Sequence, residues 1–141
     1  MPGRRLNLTR MLALWPAIVL LALTLVFFQH LAFSGLILGR GDTFSYFYPY
    51  WAARNAALTA GHLPLWSPDL FMGVPLLANS QIGTFYPLNW PLTGLLPPDG
   101  IRLSALFHVW WALLGAYVLA RSVIGAAGGW RAHLPALTAA V

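Results

Sequence analysis

The sequence predicts an all-α polytopic membrane protein: two transmembrane helices flanking a long extracytoplasmic loop that carries a short interfacial helix, then the start of a third span. Three observations carry this. The 141 residues are 59% hydrophobic and only 8% charged, where a soluble domain carries about a quarter charged residues. Two long apolar runs, one from Met11 and one from Leu103, hold no Asp, Glu, Lys or Arg. All three acidic residues, Asp42, Asp69 and Asp99, fall between those runs. The net charge of +5 does not point to nucleic acid, because the basic residues are all Arg and flank apolar segments instead of lining one stripe. There is no Cys, which removes disulfides and thiolate chemistry and leaves the redox compartment open.

Taken in order, residues 1–10 read as a cytoplasmic N-terminus and 11–38 as transmembrane helix 1, MLALWPAIVLLALTLVFF followed by QH and LAFSGLIL. About 20 apolar residues suffice to cross the hydrocarbon. Pro16 falls in the first turns, where its missing N–H costs little. A signal peptide is the rival, with Arg4 and Arg5 as its basic region and Ala32-Phe33-Ser34 as a small-x-small site. The apolar run is longer than the roughly 7–15 residues of such a leader, which favours a span.

Residues 39–102 form the extracytoplasmic loop. Within it an interfacial helix is expected at about 44–60. Asp42 or Thr43 offers an N-cap, Pro49 sits at N1, alanines fill the middle, and Gly61 serves as the left-handed residue after the end. Tyr46, Phe47, Tyr48, Tyr50 and Trp51 crowd its start, and such aromatics suit a membrane–water interface. Beyond it, Pro64, Pro68, Pro75, Pro87 and Pro91 exclude a long helix or a central strand. Trp66, Leu70, Phe71, Leu76, Phe85 and Trp90 argue against disorder. An ordered, proline-stiffened loop is expected. Asp99, after Pro97-Pro98, reads as a turn residue.

Residues 103–121 read as transmembrane helix 2, 122–131 as a cytoplasmic loop and 132–141 as the start of a third span. Ten residues cannot cross, so the chain is expected to be the front part of a longer polytopic protein. Arg4, Arg5 and Arg10 precede the first span and Arg121 and Arg131 follow the second, whereas the loop between them nets zero charge. Positive-inside then places the N-terminus in the cytoplasm and 39–102 outside.

The loop also carries a resemblance. Gly41-Asp42, Tyr48-Pro49, Gly61, Leu63-Pro64-Leu65-Trp66, Pro68, Phe71, Gly73, Pro75, Asn79, Gln81, Gly83 and Phe85-Tyr86-Pro87 follow a family pattern. The chain resembles, over about residues 10 to 125, the N-terminal part of the bacterial YfhO-like membrane proteins, within the wider GT-C superfamily of glycosyltransferases. Ser67 stands where that pattern has Asn. The resemblance implies transfer of a sugar from a polyprenyl-phosphate donor to an acceptor outside the bacterial cytoplasmic membrane. It also implies a catalytic carboxylate in the first outer loop, the place Asp42 holds. Arg40, Trp66, Asp69, Asn79, Gln81 and Tyr86 are the candidate substrate-binding residues. Arg suits a lipid phosphate, Trp66 offers a stacking face, and the amides and phenol suit sugar hydroxyls.

Each candidate has a plainer alternative. Asp42 can be a helix cap, Asp69 a turn residue, and Arg40 and Arg54 partners of ordinary headgroups, the reading favoured for Arg54. Asn79, Gln81 and Tyr86 can brace the loop through side-chain to backbone bonds. His30, His62, His108 and His133 lack metal-ligand spacing, so no metal site is assigned, and the cofactor question, a divalent metal included, stays open. Gly35 and Gly39, and Gly125 and Gly129, form G-x-x-x-G pairs, weak signals of helix packing. The rival functional reading is a non-enzymatic membrane protein, a transporter part or assembly scaffold, whose loop binds a partner or lipid.

Overall fold

The computed structural model describes residues 14–36, 38–124 and 133–141. The expectations for 1–10 and for 125–131 lie outside them, as do Gly125 and Gly129. Among the described residues the regular structure is helical. There is no strand, only an isolated antiparallel bridge between Ser67 and Val74. The chain divides into two units, His30–Ala105 and Met1–Gln29 with Leu106–Val141.

In the second of these, α1 (Trp15–Phe27) starts with a Pro in its first turn, as expected. It does not run on to residue 38. The helix is interrupted at Phe28 (φ −99°, ψ 29°), a single turn α2 (Gln29–Phe33) follows, and Gly35 leaves the helical region at φ 67°. Two side chains help. The Thr24 hydroxyl donates to the Leu20 carbonyl at 2.8 Å, and the Ser34 hydroxyl donates to the His30 carbonyl; such back-bonding bends helices. Leu20 packs with Tyr117, Ala136 and Ala140 in a small core, and the Trp110 indole donates to the Ala17 carbonyl at 3.0 Å.

The His30–Ala105 unit starts within α2, passes Gly35 and continues into a π turn, Thr43–Phe47, which leads directly into α3 (Tyr48–Thr59). Helical structure thus occupies most of the 44–60 segment, as a π turn followed by α3 with Pro49 in its first turn. Its end follows the chemistry of Gly61. At φ 81°, Gly61 donates to the Leu58 carbonyl while His62 donates to Ala57, both at 3.1 Å, so the last carbonyls are satisfied. After α3 the chain makes two 3-10 turns, Ser80–Ile82 and Pro87–Leu92. The proline-rich loop is thus ordered without helix or sheet. Its core is Tyr50, Leu76 and Ile82, with Tyr46, Ala53, Leu70 and Val74 against it.

α4 (Pro97–Ile124) starts six residues before the expected second span. Asp99 is not in a turn but in the first helical turn. Pro97 and Pro98 need no hydrogen bond there, and Asp99 faces the positive end of the helix dipole while accepting from Arg102 at 2.7 Å. Pro97–Val123 is the one helix among the described residues that is long and apolar enough to cross a membrane. Only 11% of its most apolar window is buried among these residues. α1 is apolar but shorter. α5 (His133–Ala140) occupies the place of the expected third span. Gly35 and Gly39 face open space, so that glycine pair packs no helix here.

Gly100 shows how α3 is held against the start of α4. A Cβ there would lie 3.1 Å from the Trp51 ring. Below Trp51 sits Arg54, only 1% exposed. Its Nε and Nη2 donate to Asn55 Oδ1 at 3.0 and 2.8 Å, its Nη1 donates to the Ile82 carbonyl at 2.5 Å, and its guanidinium lies 3.9 Å over the Trp51 ring. Arg54 meets neither headgroup nor substrate, contrary to the sequence reading. Burial pushes its pKa down to about 10, so it remains a cation at neutral pH. Removing it strands two buried acceptors, at about 1–3 kcal/mol each. Arg54→Lys is expected to be nearly as destabilising as Arg54→Met, because one ammonium cannot reproduce the fork. Thermal unfolding of the detergent-solubilised protein checks this; a Lys variant with the wild-type midpoint would refute it.

Candidate functional site

The π turn and α3 shape one wall of a cavity of about 320 Å³. Thr43, Phe47 and Trp51 line it from these elements, Gln81 from the first 3-10 turn, and Ile101 and Ser104 from α4. Thr43 follows Asp42 directly. Asp42 occupies the N-cap position of the π turn, yet its side chain makes no capping bond. The capping alternative therefore fails: at φ −67°, ψ −13° the Asp42 backbone is already helical, unlike the extended backbone from which a side chain usually caps. Asp42 and its neighbour Arg40 are both exposed. A π turn is rare and is found often at functional sites.

A second cavity, of about 260 Å³, lies across α3 in the same unit. Ala53, Ala57, His62, Trp66, Ser67 and Asp69 line it. Trp66 is fixed here by Gly73: a Cβ at that glycine would sit 2.6 Å from the indole. One part of the ring is thus held while more than half of the residue stays exposed. Asp69 is exposed beside it, and His62 contacts the Leu63 carbonyl through Nδ1 at 3.2 Å.

The structure thus sorts the candidates into groups. Gln81 lines the first cavity together with Thr43, the residue after Asp42, whereas neither Asp42 nor Arg40 lines it. Trp66 and Asp69 share the other cavity. Asn79 takes the bracing role: its Oδ1 accepts from the Gln81 N–H at 3.1 Å as an N-cap, and its Nδ2 donates to the Tyr46 hydroxyl. Tyr86 is exposed and lines neither cavity.

Four lining or supporting residues were not among the candidate site residues of the sequence reading: Trp51, Arg54, His62 and Tyr48. Trp51 and Arg54 are three apart on α3 and so share a face, a spacing that could have paired them. His62 carried no such signal. Tyr48 anchors the segment before the π turn by donating to the Leu38 carbonyl at 2.6 Å, and burial pushes its phenol pKa up, so it stays a neutral donor. Among the described residues no three His, Asp or Glu side chains converge as metal ligands would. No family model, curated protein or solved structure matches this chain.

Bracing and binding predict different costs. Asn79→Ala removes a cap and a phenol contact and is expected to lower stability by about 1–2 kcal/mol. Gln81→Ala, at an exposed side chain, is expected to stay within about 0.5 kcal/mol of wild type. Unfolding midpoints measured side by side decide between these roles.

Proposed function

We propose that the chain is part of a GT-C-type membrane glycosyltransferase, with Asp42 as the base that activates the acceptor. The single observation that carries this reading is an exposed carboxylate, used neither as a cap nor in an ion pair, at the start of a π turn whose next residue lines a cavity. The resemblance between residues 41 and 90 supplies the chemistry. Asp42 takes the proton of an acceptor hydroxyl, the oxygen forms its bond to the anomeric carbon, and the bond to the lipid phosphate breaks with inversion. Polyprenyl phosphate leaves with the electron pair. Arg40, two residues away, suits that phosphate. Gln81 suits a sugar hydroxyl in the first cavity, and Trp66 with Asp69 suits a second sugar ring. The chain would lie in the bacterial cytoplasmic membrane as a multi-pass protein, its N-terminus inside and 39–102 outside, with the run from Met11 as a second span beside α4.

The alternative is a scaffold whose loop binds a partner or lipid without catalysis. The exposed Leu63, Leu65, Phe85, Trp90 and Leu96 favour such binding, but they do not account for the unpaired Asp42.

The two readings separate in a transfer assay on the full-length protein in membranes with a labelled polyprenyl-phosphate sugar. Asp42→Asn is expected to lose transfer by about 10²-fold or more, the usual contribution of a general base. Its unfolding midpoint should not move, because no side-chain bond of Asp42 is lost. Transfer at the wild-type rate would remove Asp42 from the mechanism.

A further inference from the structure

Two residues of the loop are in a conformation that their side chains disfavour. Phe71 and Met72 have φ of 48° and 64°, in the left-handed region. They are the central pair of a four-residue turn closed by the Gly73 N–H donating to the Leu70 carbonyl at 2.8 Å. Two consecutive positive φ values are the pattern for which Asn-Gly is preferred. A chain that needed only to reverse would have no use for Phe and Met here.

Neither residue is placed there to fill a core. Phe71 is 70% exposed and Met72 is fully exposed. The turn beneath them is braced. Ser67 and Val74 exchange backbone bonds of 3.0 and 2.9 Å, the Trp66 indole lies on Gly73, and the Phe71 ring stands 6.3 Å from that of Tyr50. Leu63, Leu65 and Trp66 add further exposed apolar surface nearby in the chain. Strained backbone holding an outlying pair of side chains is a hypothesis of function, and a rigid apolar tip is built to enter something apolar.

We infer that the Phe71-Met72 turn is a wedge that enters the interfacial layer of the lipid bilayer and anchors the His30–Ala105 unit to it. Three features select lipid. The same unit contains the first turns of α4, the helix able to cross a membrane, so it is tethered where that helix emerges. From residue 55 to residue 98 the only ionised side chain is Asp69, too little charge to solubilise such a surface or to match a charged partner. Aromatic and thioether side chains suit the region between headgroups and acyl chains. Asp69, two residues before Phe71, limits the depth, because a carboxylate stays with the headgroups. The inference stands whether or not Asp42 is catalytic.

These 141 residues hold no Cys, and any Cys elsewhere in the full-length protein is first replaced by Ser. Met72→Cys in the full-length protein gives one labelling site and removes no packing, and Ala60→Cys, exposed at the end of α3, is the reference. Each variant is labelled with an environment-sensitive fluorophore and reconstituted in phosphatidylethanolamine–phosphatidylglycerol vesicles. Lipids with a doxyl group close to the headgroup should quench the residue-72 probe several-fold more than the residue-60 probe, and aqueous iodide should quench it several-fold less. Equal iodide quenching at both sites would overturn the wedge. So would a residue-72 probe shielded from both quenchers, which would mean that protein, not lipid, covers the turn. Retained unfolding midpoints in both variants tie the readings to the native fold.

Discussion

The His30–Ala105 unit depends on a buried cation that has no anion. Arg54 is enclosed, yet its partners are an amide oxygen, a backbone carbonyl and an indole face. An isolated charge is costly to bury unless its donors are all engaged. Here three donors reach acceptors and the π system faces the remaining charge, an interaction that strengthens when desolvated. Those partners come from separate places. Trp51 and Asn55 belong to α3, and Ile82 to a 3-10 turn 28 residues later. Asn55 also donates to the Leu95 carbonyl at 3.3 Å, and Trp51 rests on Gly100. One guanidinium therefore ties α3, the 80–82 turn and the approach to α4 into a single unit. A loop without strands has no ladder to do this.

The same arrangement leaves the acids free. Because Arg54 is satisfied by neutral groups, neither Asp42 nor Asp69 is drawn into its neutralisation, and both remain exposed. Trp51 serves two purposes: its ring faces the guanidinium and it also lines the first cavity, with Thr43 and Gln81. The shape of that cavity is thus set by a residue whose position is fixed by a buried charge, not by the cavity's own polar groups. The π turn contributes as well. Its wider winding places Thr43 and Phe47 on the cavity wall immediately before α3 begins.

Local rules were legible where one residue decides the backbone. Gly61 ends α3 in the left-handed region, Pro49 starts it, and the spaced prolines keep 61–96 out of long helix and sheet, as the sequence implied. The ordered state of that loop followed from its aromatics. What the sequence did not disclose depends on contacts between distant residues. Arg54 looked like an interfacial Arg because its acceptors include the Ile82 carbonyl, a backbone atom that any residue could supply. Asp99 looked like a turn because it lies between Pro97-Pro98 and Gly100, but those prolines sit within the first turn of α4, where no hydrogen bond is asked of them. Asp42 looked like a cap, and a π turn in place of an α-helical start leaves its carboxylate unbonded. The pairing of Trp66 with Asp69 across a cavity depends on Gly73 and the Ser67–Val74 bridge, neither of which a linear pattern reveals.

The strained turn and the buried cation oppose stability in one small unit, and they are joined by packing. Phe71 leans on Tyr50, Tyr50 packs with Ile82 and Leu76, and the Ile82 carbonyl accepts from Arg54. Gln81, next to Ile82, lines the first cavity. Close-packed interiors transmit displacement instead of absorbing it. A left-handed conformation costs on the order of 1–2 kcal/mol per residue, a large fraction of the roughly 5–15 kcal/mol that holds a domain together. A unit with so little to spare keeps such a turn only if the turn's surroundings return the energy. Burial of Phe71 and Met72 in an apolar phase returns about 1.5–3 kcal/mol for each side chain, which matches or exceeds the strain. The turn is thus unfavourable in water and close to neutral or favourable at a lipid surface. On this accounting the inferred lipid contact offsets the strain of the turn, and packing from Phe71 through Tyr50 to Ile82 connects that turn to the Gln81 side of the first cavity.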